Sequence, residues 1–329
     1  MGSRTKSYGE CILEGFQYLL STYPEVFVIG QGLWSPWYVG TTMQDLDKEF
    51  GVERIIDSPV SEQAVTGMAV GASLYGYRPV VVHPRMDFMI LATDQIVNQA
   101  AKWGHMLGGA CYPNVTIRGI INRGGEQGAQ HSQALHAWYA HVPGLRVVMP
   151  ARPQDARDLL IASVLCDDPV VYVDDRWLYE VEEEVTDAEE LPLAEQRPLV
   201  LRSGGDVTVV GCGYSTQLAL EAAERARVLG LELEVIDLRV INPLEIDPVV
   251  ESVRRTGRLC AVDGGWRTCG MAGEVLASVA ERVDPALMKA RSRRVTLVDA
   301  PAPTSRPLEA AYYPSVDQLV AACEGAVKE

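Results

Sequence analysis

The sequence predicts an α/β protein of two domains, each built on a largely parallel sheet. Three observations carry that expectation. Short apolar runs recur without polar alternation, as strands covered on both faces do. Helical stretches separate them, as the crossovers of parallel strands require. The length of 329 residues also exceeds what one hydrophobic core usually serves.

In order, an amphipathic helix over residues 7–22 leads into Val26-Phe-Val-Ile29, which ends at a glycine. Similar runs follow at Pro79-Val-Val-Val-His83, Val115-Thr-Ile-Arg-Gly119, Leu145-Arg-Val-Val-Met149 and Pro169-Val-Val-Tyr-Val173. Helices are expected between them over 62–75, 93–107 and 153–166. From Glu180 to Arg197 the rhythm fails, and Glu182-Glu-Glu184, Asp187 and Glu189-Glu190 read as a solvated linker. Strands resume at Asp206-Val-Thr-Val-Val-Gly-Cys-Gly213, Leu233-Glu-Val-Ile-Asp237, Arg258-Leu-Cys-Ala-Val-Asp263 and Val295-Thr-Leu-Val298. The expected organisation is a domain over 1–185, an acidic linker over 186–202 and a smaller domain over 203–329.

A hydrophobic fraction of 47% and a charged fraction of 22% are ordinary for a globular protein. The net charge of −15 argues against nonspecific binding to nucleic acid or anionic membrane. Met1-Gly-Ser-Arg-Thr-Lys6 lacks the apolar core of a secretory signal, and no run approaches the roughly 20 residues that span a bilayer. Seven scattered cysteines, none in C-x-x-C spacing, form neither a disulfide framework nor a zinc site. The expectation is a soluble cytoplasmic protein.

One acid stands out. In Asp57-Ser-Pro-Val-Ser-Glu62 a proline turn delivers Glu62 onto the first turn of an apolar helix. An acid there ordinarily favours the helix start electrostatically, beside Ser58 or Ser61 as cap. A second segment, Gly128-Ala-Gln-His131-Ser-Gln133, places His131 after the glycine-rich loop 124–128, where backbone permits close approach. His136 and His141 read as structural or surface residues, since a spacing of five stacks no helical face. Gly211-Cys-Gly213 and Gly264-Gly265 complete no dinucleotide or phosphate motif and read as tight turns. No nucleophile elbow supports a hydrolase. The aromatic segment Leu33-Trp34-Ser-Pro-Trp37-Tyr38 is either a binding wall or an oligomer contact.

Taken together, the chain resembles the beta subunit of thiamine-diphosphate-dependent 2-oxo acid dehydrogenases of pyruvate, branched-chain or acetoin type, within the transketolase-like superfamily. The resemblance rests on Arg54-Ile-Ile-Asp-Ser-Pro-Val-Ser-Glu62, Gly76-Tyr-Arg-Pro79, Asp87-Phe88, Asp94-Gln-Ile-Val-Asn98, Gly128-Ala-Gln-His131-Ser-Gln133 and His141-Val-Pro-Gly-Leu145. In the second half it rests on Val235-Ile-Asp-Leu-Arg239, Pro243-Leu244, Thr256-Gly257 and Gly264-Gly-Trp266. It implies a pyrimidine-binding domain followed by a transketolase-type C-terminal domain.

It also implies roles. Glu62 would bond a nitrogen of the cofactor's aminopyrimidine ring and promote loss of the thiazolium proton. Phe88 would stack on that ring, and His131 would reach the reacting carbon. The family's Gly-Asp-Gly segment for Mg²⁺ is missing: Gly205-Asp206-Val207 and Asp263-Gly-Gly265 do not match. The diphosphate and Mg²⁺ would then come from an alpha subunit, in a heterotetramer of two alpha and two beta chains. Some relatives bind potassium on a loop that here carries Cys166, implying backbone ligands from Val115, Ser163, Cys166 and Asp168.

Two departures keep the reaction open. Gln31 stands where the family usually has an acid, and His83-Pro-Arg85-Met86 replaces a Phe-containing run. Arg85 would suit an acidic or phosphorylated substrate, or pair with Asp87 or a partner chain. The expected activity is decarboxylation of a small 2-oxo acid, with transfer of the acyl unit to an acceptor such as the lipoyl group of an acyltransferase. The alternatives are a two-subunit transketolase-like enzyme passing a two-carbon unit to a sugar or specialised metabolite, and a catalytically silent scaffold.

Overall fold

The computed structural model describes residues 4–329. The chain forms two compact units. The first holds the described residues up to Arg123 together with His131–Gln196, and the second holds Gly124–Gln130 with Arg197–Glu329.

In the first unit, β1 (Arg4–Ser7) leads into α1 (Tyr8–Thr22), whose start is closed by a reciprocal Ser7–Glu10 capping box. There follow β2 (Val26–Gly30), α2 (Pro36–Val39), α3 (Leu46–Phe50), β3 (Ile55–Asp57), α4 (Glu62–Ser73) and β4 (Arg78–His83). Next come α5 (Ala101–Met106), β5 (Thr116–Ile121), α6 (His136–Ala140), β6 (Arg146–Val148), α7 (Pro153–Leu165), β7 (Val170–Asp175) and β8 (Glu182–Val185). The central strands run in the order β6-β7-β5-β4-β2-β3, every pair parallel. The strands β4, β5 and β7 are buried almost throughout, which is why they read as unbroken apolar runs. A separate antiparallel ribbon pairs β1 with β8.

The expected helix over 93–107 is split. A 3-10 turn over Met86–Ala92 passes into a π-helical turn over Asp94–Ala100, and only then into α5. Asp94 accepts hydrogen bonds from Asn98 Nδ2 at 2.8 Å and Gln99 Nε2 at 3.4 Å, linking positions four and five residues along. Such wide turns are uncommon and recur near functional sites.

The second unit carries β9 (Leu199–Arg202), β10 (Val207–Gly211), α8 (Tyr214–Val228), β11 (Leu233–Asp237), β12 (Val240–Asn242), α9 (Asp247–Thr256) and β13 (Leu259–Trp266). It ends with α10 (Met271–Ala280), β14 (Arg293–Leu297), α11 (Arg306–Tyr312) and α12 (Val316–Lys328). Its sheet order is β14-β13-β10-β11-β9, parallel except at the edge strand β9. Valines of β10, alanines of α8 and Leu319 and Cys323 of α12 fill its core.

Two expectations about connections change, and one loop is seen to be held. The segment 186–202 is not wholly a solvated linker, because the acidic composition masks the apolar run Leu199-Val-Leu201, which pairs as β9 with β11. Its start is pinned where the buried Arg157 donates to the carbonyls of Thr186 at 2.7 Å and Asp187 at 3.0 Å. The glycine loop 124–128 is anchored, since the Glu309 carboxylate accepts from the Glu126 amide and the Glu126 carboxylate from the Arg306 amide. Finally, Gly264 and Gly265 are no turn but lie inside β13, where its register with β14 slips.

One buried ion pair sits at the centre of the first sheet. Arg118 on β5 donates Nε to Asp174 Oδ1 at 2.9 Å and Nη2 to Oδ2 at 2.7 Å, with both side chains fully buried. Thr42 and Tyr179 complete the cluster. Removing one member of such a pair strands the other in an apolar interior. We expect Asp174→Ala to lower unfolding free energy by about 3–5 kcal/mol, and the joint change Arg118→Met, Asp174→Leu to cost much less. Denaturant titration of both variants checks this.

Candidate active site

The strand order reverses direction around β2: β3 lies on one side of it and β4 on the other. In open parallel sheets, ligands bind at the carboxyl ends of the strands where winding reverses. Gln31 follows β2, Glu62 follows β3, His83 ends β4 with Phe88 five residues on, and the His131 segment comes after β5. Residues distant in sequence are thus collected at one edge.

Glu62 opens α4 and is buried, 7% exposed. Neither serine caps the helix: Ser61 makes no side-chain cap bond, and Ser58 Oγ is buried without a partner. The Glu62 carboxyl makes no hydrogen bond or ion pair among the described residues. Glu62 stands in the first turn of α4, where the helix N-terminus favours a negative charge. The turn before it is fixed by Asp57, whose Oδ1 accepts from the Gly32 amide at 2.6 Å and the Leu33 amide at 3.3 Å. An acid therefore serves the turn beside Gln31 from the neighbouring strand.

Phe88 is half-buried on the 3-10 turn and meets His131 edge to face, with ring centroids 5.4 Å apart at 81°. Gln133 ties the two segments, donating its amide at 3.0 Å and its Nε2 at 2.9 Å to Asp87 Oδ1. Burial pushes the Asp87 carboxyl above the ordinary aspartate value, against the pull of the Gln133 donors and the His131 ring. The helix α4 packs against both β4 and the Phe88 turn.

His83 is the residue the sequence left without a role. It is 3% exposed, and its Nε2 lies 3.3 Å from Thr66 Oγ1, one turn along from Glu62. Its position closing an apolar strand was the available signal.

Arg85 does not pair with Asp87. It donates to the Pro84 carbonyl at 3.0 Å, and its buried Nε has no partner. Burial, and the nearby charge of Arg176, lower its pKa. Arg176 donates to the carbonyls of Trp37 and Tyr38. Neither arginine has a carboxylate within ion-pair distance among the described residues. Sequence reading missed Arg176 because nothing local links residue 176 to residue 85. Trp34, Trp37 and Tyr38 are exposed.

On the expected potassium loop, Arg78 Nη1 donates to the carbonyls of Val164 at 3.0 Å and Cys166 at 3.1 Å. The Val115 carbonyl accepts from the Val170 amide, Ser163 Oγ donates to Leu159, and the Asp168 carboxylate binds Arg146 at 2.7 Å. His136 is buried and His141 exposed.

Two α/β units in tandem, the first with an acid at its winding switch, define a chain of transketolase type. Residues 4–181 match the family model described as transketolase, pyrimidine binding domain, and residues 197–319 that of the transketolase C-terminal domain. The chain belongs to the transketolase-like family that includes the beta subunits of 2-oxo acid dehydrogenases, and this membership implies thiamine diphosphate as cofactor. It is 40% identical over 277 residues to the acetoin:2,6-dichlorophenolindophenol oxidoreductase subunit beta of Cupriavidus necator, covering 84% of this chain and 81% of that protein. It is 34% identical over 296 residues to the pyruvate dehydrogenase E1 component subunit beta of Rhizobium meliloti, covering 90% of this chain and 64% of that protein. A solved structure described as a split gene transketolase, inactive beta4 tetramer, shares the fold with a TM-score of 0.77. It is 24% identical and covers 98% of this chain and 96% of its own. Among the described residues, no helix is long and apolar enough to cross a membrane.

The raised Asp87 pKa carries a sign. A folded carboxyl titrating above its unfolded value gives stability that is present at low pH and lost as pH rises through the folded value. Asp87→Asn removes that loss and keeps an acceptor for Gln133. We expect its melting temperature relative to wild type to be more favourable at pH 7 than at pH 4, as thermal melts at the two values will show.

Proposed function

We propose that this chain is the beta subunit of a thiamine-diphosphate-dependent enzyme that decarboxylates a small 2-oxo acid. It passes the acyl unit to an acceptor such as a lipoyl group, and acts only when assembled with an alpha subunit. The observation that carries this reading is the buried, unbonded carboxyl of Glu62, on a helix packed against the turn that bears Phe88.

The residues fit the pyrimidine half of the cofactor. A ring nitrogen needs an acid that nothing else occupies, which Glu62 offers, and a flat heteroaromatic needs an apolar surface, which Phe88 offers. When bound, the cofactor supplies a carbon nucleophile at its thiazolium ring. Glu62 holds or releases a proton at the ring nitrogen, while Phe88 fixes the plane and excludes water. His131, steadied against Phe88, donates to the substrate carboxylate or a developing oxyanion. The diphosphate and its Mg²⁺ belong to the alpha subunit in this reading, because the chain has no Gly-Asp-Gly segment. The assembly would hold two copies of each chain. A potassium ion on the carbonyls of Val115, Ser163, Cys166 and Asp168 would share Cys166 with the Arg78 guanidinium, so potassium is not part of the proposed cofactor set.

A second reading draws on Arg85 and Arg176, two cations without carboxylates in a chain of net charge −15. They favour an acidic or phosphorylated substrate, as in a two-subunit transketolase-like enzyme transferring a two-carbon unit. A silent scaffold is disfavoured by the pairing of Phe88 with His131 near an unbonded acid.

In the co-expressed holoenzyme, Glu62→Gln is expected to slow thiazolium proton exchange by at least about a hundredfold with assembly intact. Near-wild-type exchange rejects the assignment. His131→Ala should spare exchange and slow substrate turnover instead. Dye reduction with a panel of 2-oxo acids, set against two-carbon transfer from a phosphorylated ketose, separates the two readings. In the second, Arg85→Ala raises the KM for the phosphorylated substrate about tenfold and leaves exchange untouched.

A further inference from the structure

We propose that His83 is a positioning residue for Glu62, an uncharged imidazole held by Thr66 that faces the carboxyl and sets how readily it takes and gives a proton. This rests on the reading of Glu62 as the acid that serves the cofactor's ring nitrogen.

The geometry comes from two elements. Glu62 and Thr66 are four residues apart on α4, so they share one helical face, and both are buried. That helix packs on β4, whose last residue is His83. The contact of His83 Nε2 with Thr66 Oγ1 at 3.3 Å fixes the ring against this face. The Glu62 carboxylate acts on the ring electrostatically, and Arg85 and Asp87 follow two and four residues on in the chain.

Burial drives the His83 pKa down to about 4, with Glu62 pulling the other way. The ring is therefore neutral at physiological pH. The unfolded chain takes up this proton near the ordinary value of 6.5 and the folded ring only at about 4, so folded stability is lost as pH falls across that window. Neutrality is what the role requires. An imidazolium beside Glu62 would lock the carboxylate into an ion pair and withdraw it from proton exchange. An apolar side chain would leave the acid wholly desolvated and would favour its protonated form. A neutral imidazole gives a polar neighbour without a competing charge.

The test uses the alpha–beta holoenzyme carrying thiamine diphosphate and Mg²⁺, comparing wild type with His83→Phe and His83→Asn. Thiazolium hydrogen–deuterium exchange, its pH profile and the substrate KM are measured. His83→Phe should slow exchange about tenfold and displace the pH profile by about one unit, with KM unchanged, and His83→Asn should recover most of the rate. Wild-type exchange and an unmoved profile in His83→Phe overturn the proposal. Where His83→Phe fails to assemble, NMR titration of ¹³C-labelled histidine provides the decision. The His83 pKa should fall further in Glu62→Gln, and an unchanged value overturns the proposed coupling. Glu62→Gln also separates the two claims. Normal exchange in that variant defeats the reading of Glu62 itself. Abolished exchange there, with normal exchange in His83→Phe, defeats only the role of His83.

Discussion

Strand order in the first unit is constrained by handedness: a parallel strand, its crossover helix and the next strand wind one way, so a sheet covered on both faces must reverse its winding somewhere. Here the reversal falls at β2, between β3 and β4. Every residue of the candidate site depends on that reversal. Gln31, Glu62, Arg85 and Phe88 follow the carboxyl ends of these three strands, His83 closes β4, and His131 is brought in by the segment after β5.

The edge holds its shape because the sheet behind it is polar at selected points. Arg118 and Asp174 bridge β5 and β7 at the centre of the sheet, and Arg118 also lies 5.7 Å from the centre of the Phe16 ring on α1. The pair fixes lateral position more than it adds net stability, since the desolvation of both charges offsets most of their attraction. Nearer the site, Asn122 donates to the Pro84 carbonyl at 2.8 Å and Gln133 to Asp87. These bonds hold the His83–Phe88 segment at Pro84 and at Asp87. Among the described residues the Glu62 carboxyl makes no hydrogen bond, which in the proposed reading leaves its proton chemistry available.

Much of this was legible in the chain. Continuous valine runs announced the buried strands, and Glu62, Phe88 and His131 stood in segments whose order is specific. The remainder depended on contacts between residues far apart. Nothing near His83 says that Thr66 will lie 3.3 Å away, because helix phase and strand register jointly decide it. Arg118 looked like one polar residue in a strand, and its partner is 56 positions on. Arg85 and Arg176 are likewise remote. The edge strand β9 was hidden for another reason: composition was averaged over an acidic stretch, and three apolar residues did not outweigh it.

The contrast between an acid-rich chain and two cations without carboxylates bears on how a small anion arrives. Taken alone, a net charge of −15 makes encounter with such a molecule unfavourable at long range. At physiological ionic strength that field fades within about 8 Å of the surface. An anion therefore diffuses almost unhindered until it is close, and only then does its path distinguish one region from another. In the second proposed reading Arg85 and Arg176 would act at that short distance, Arg176 from beside the exposed aromatic loop. Added salt would weaken the general repulsion and the local attraction together, so capture rates should respond less to ionic strength than the total charge suggests.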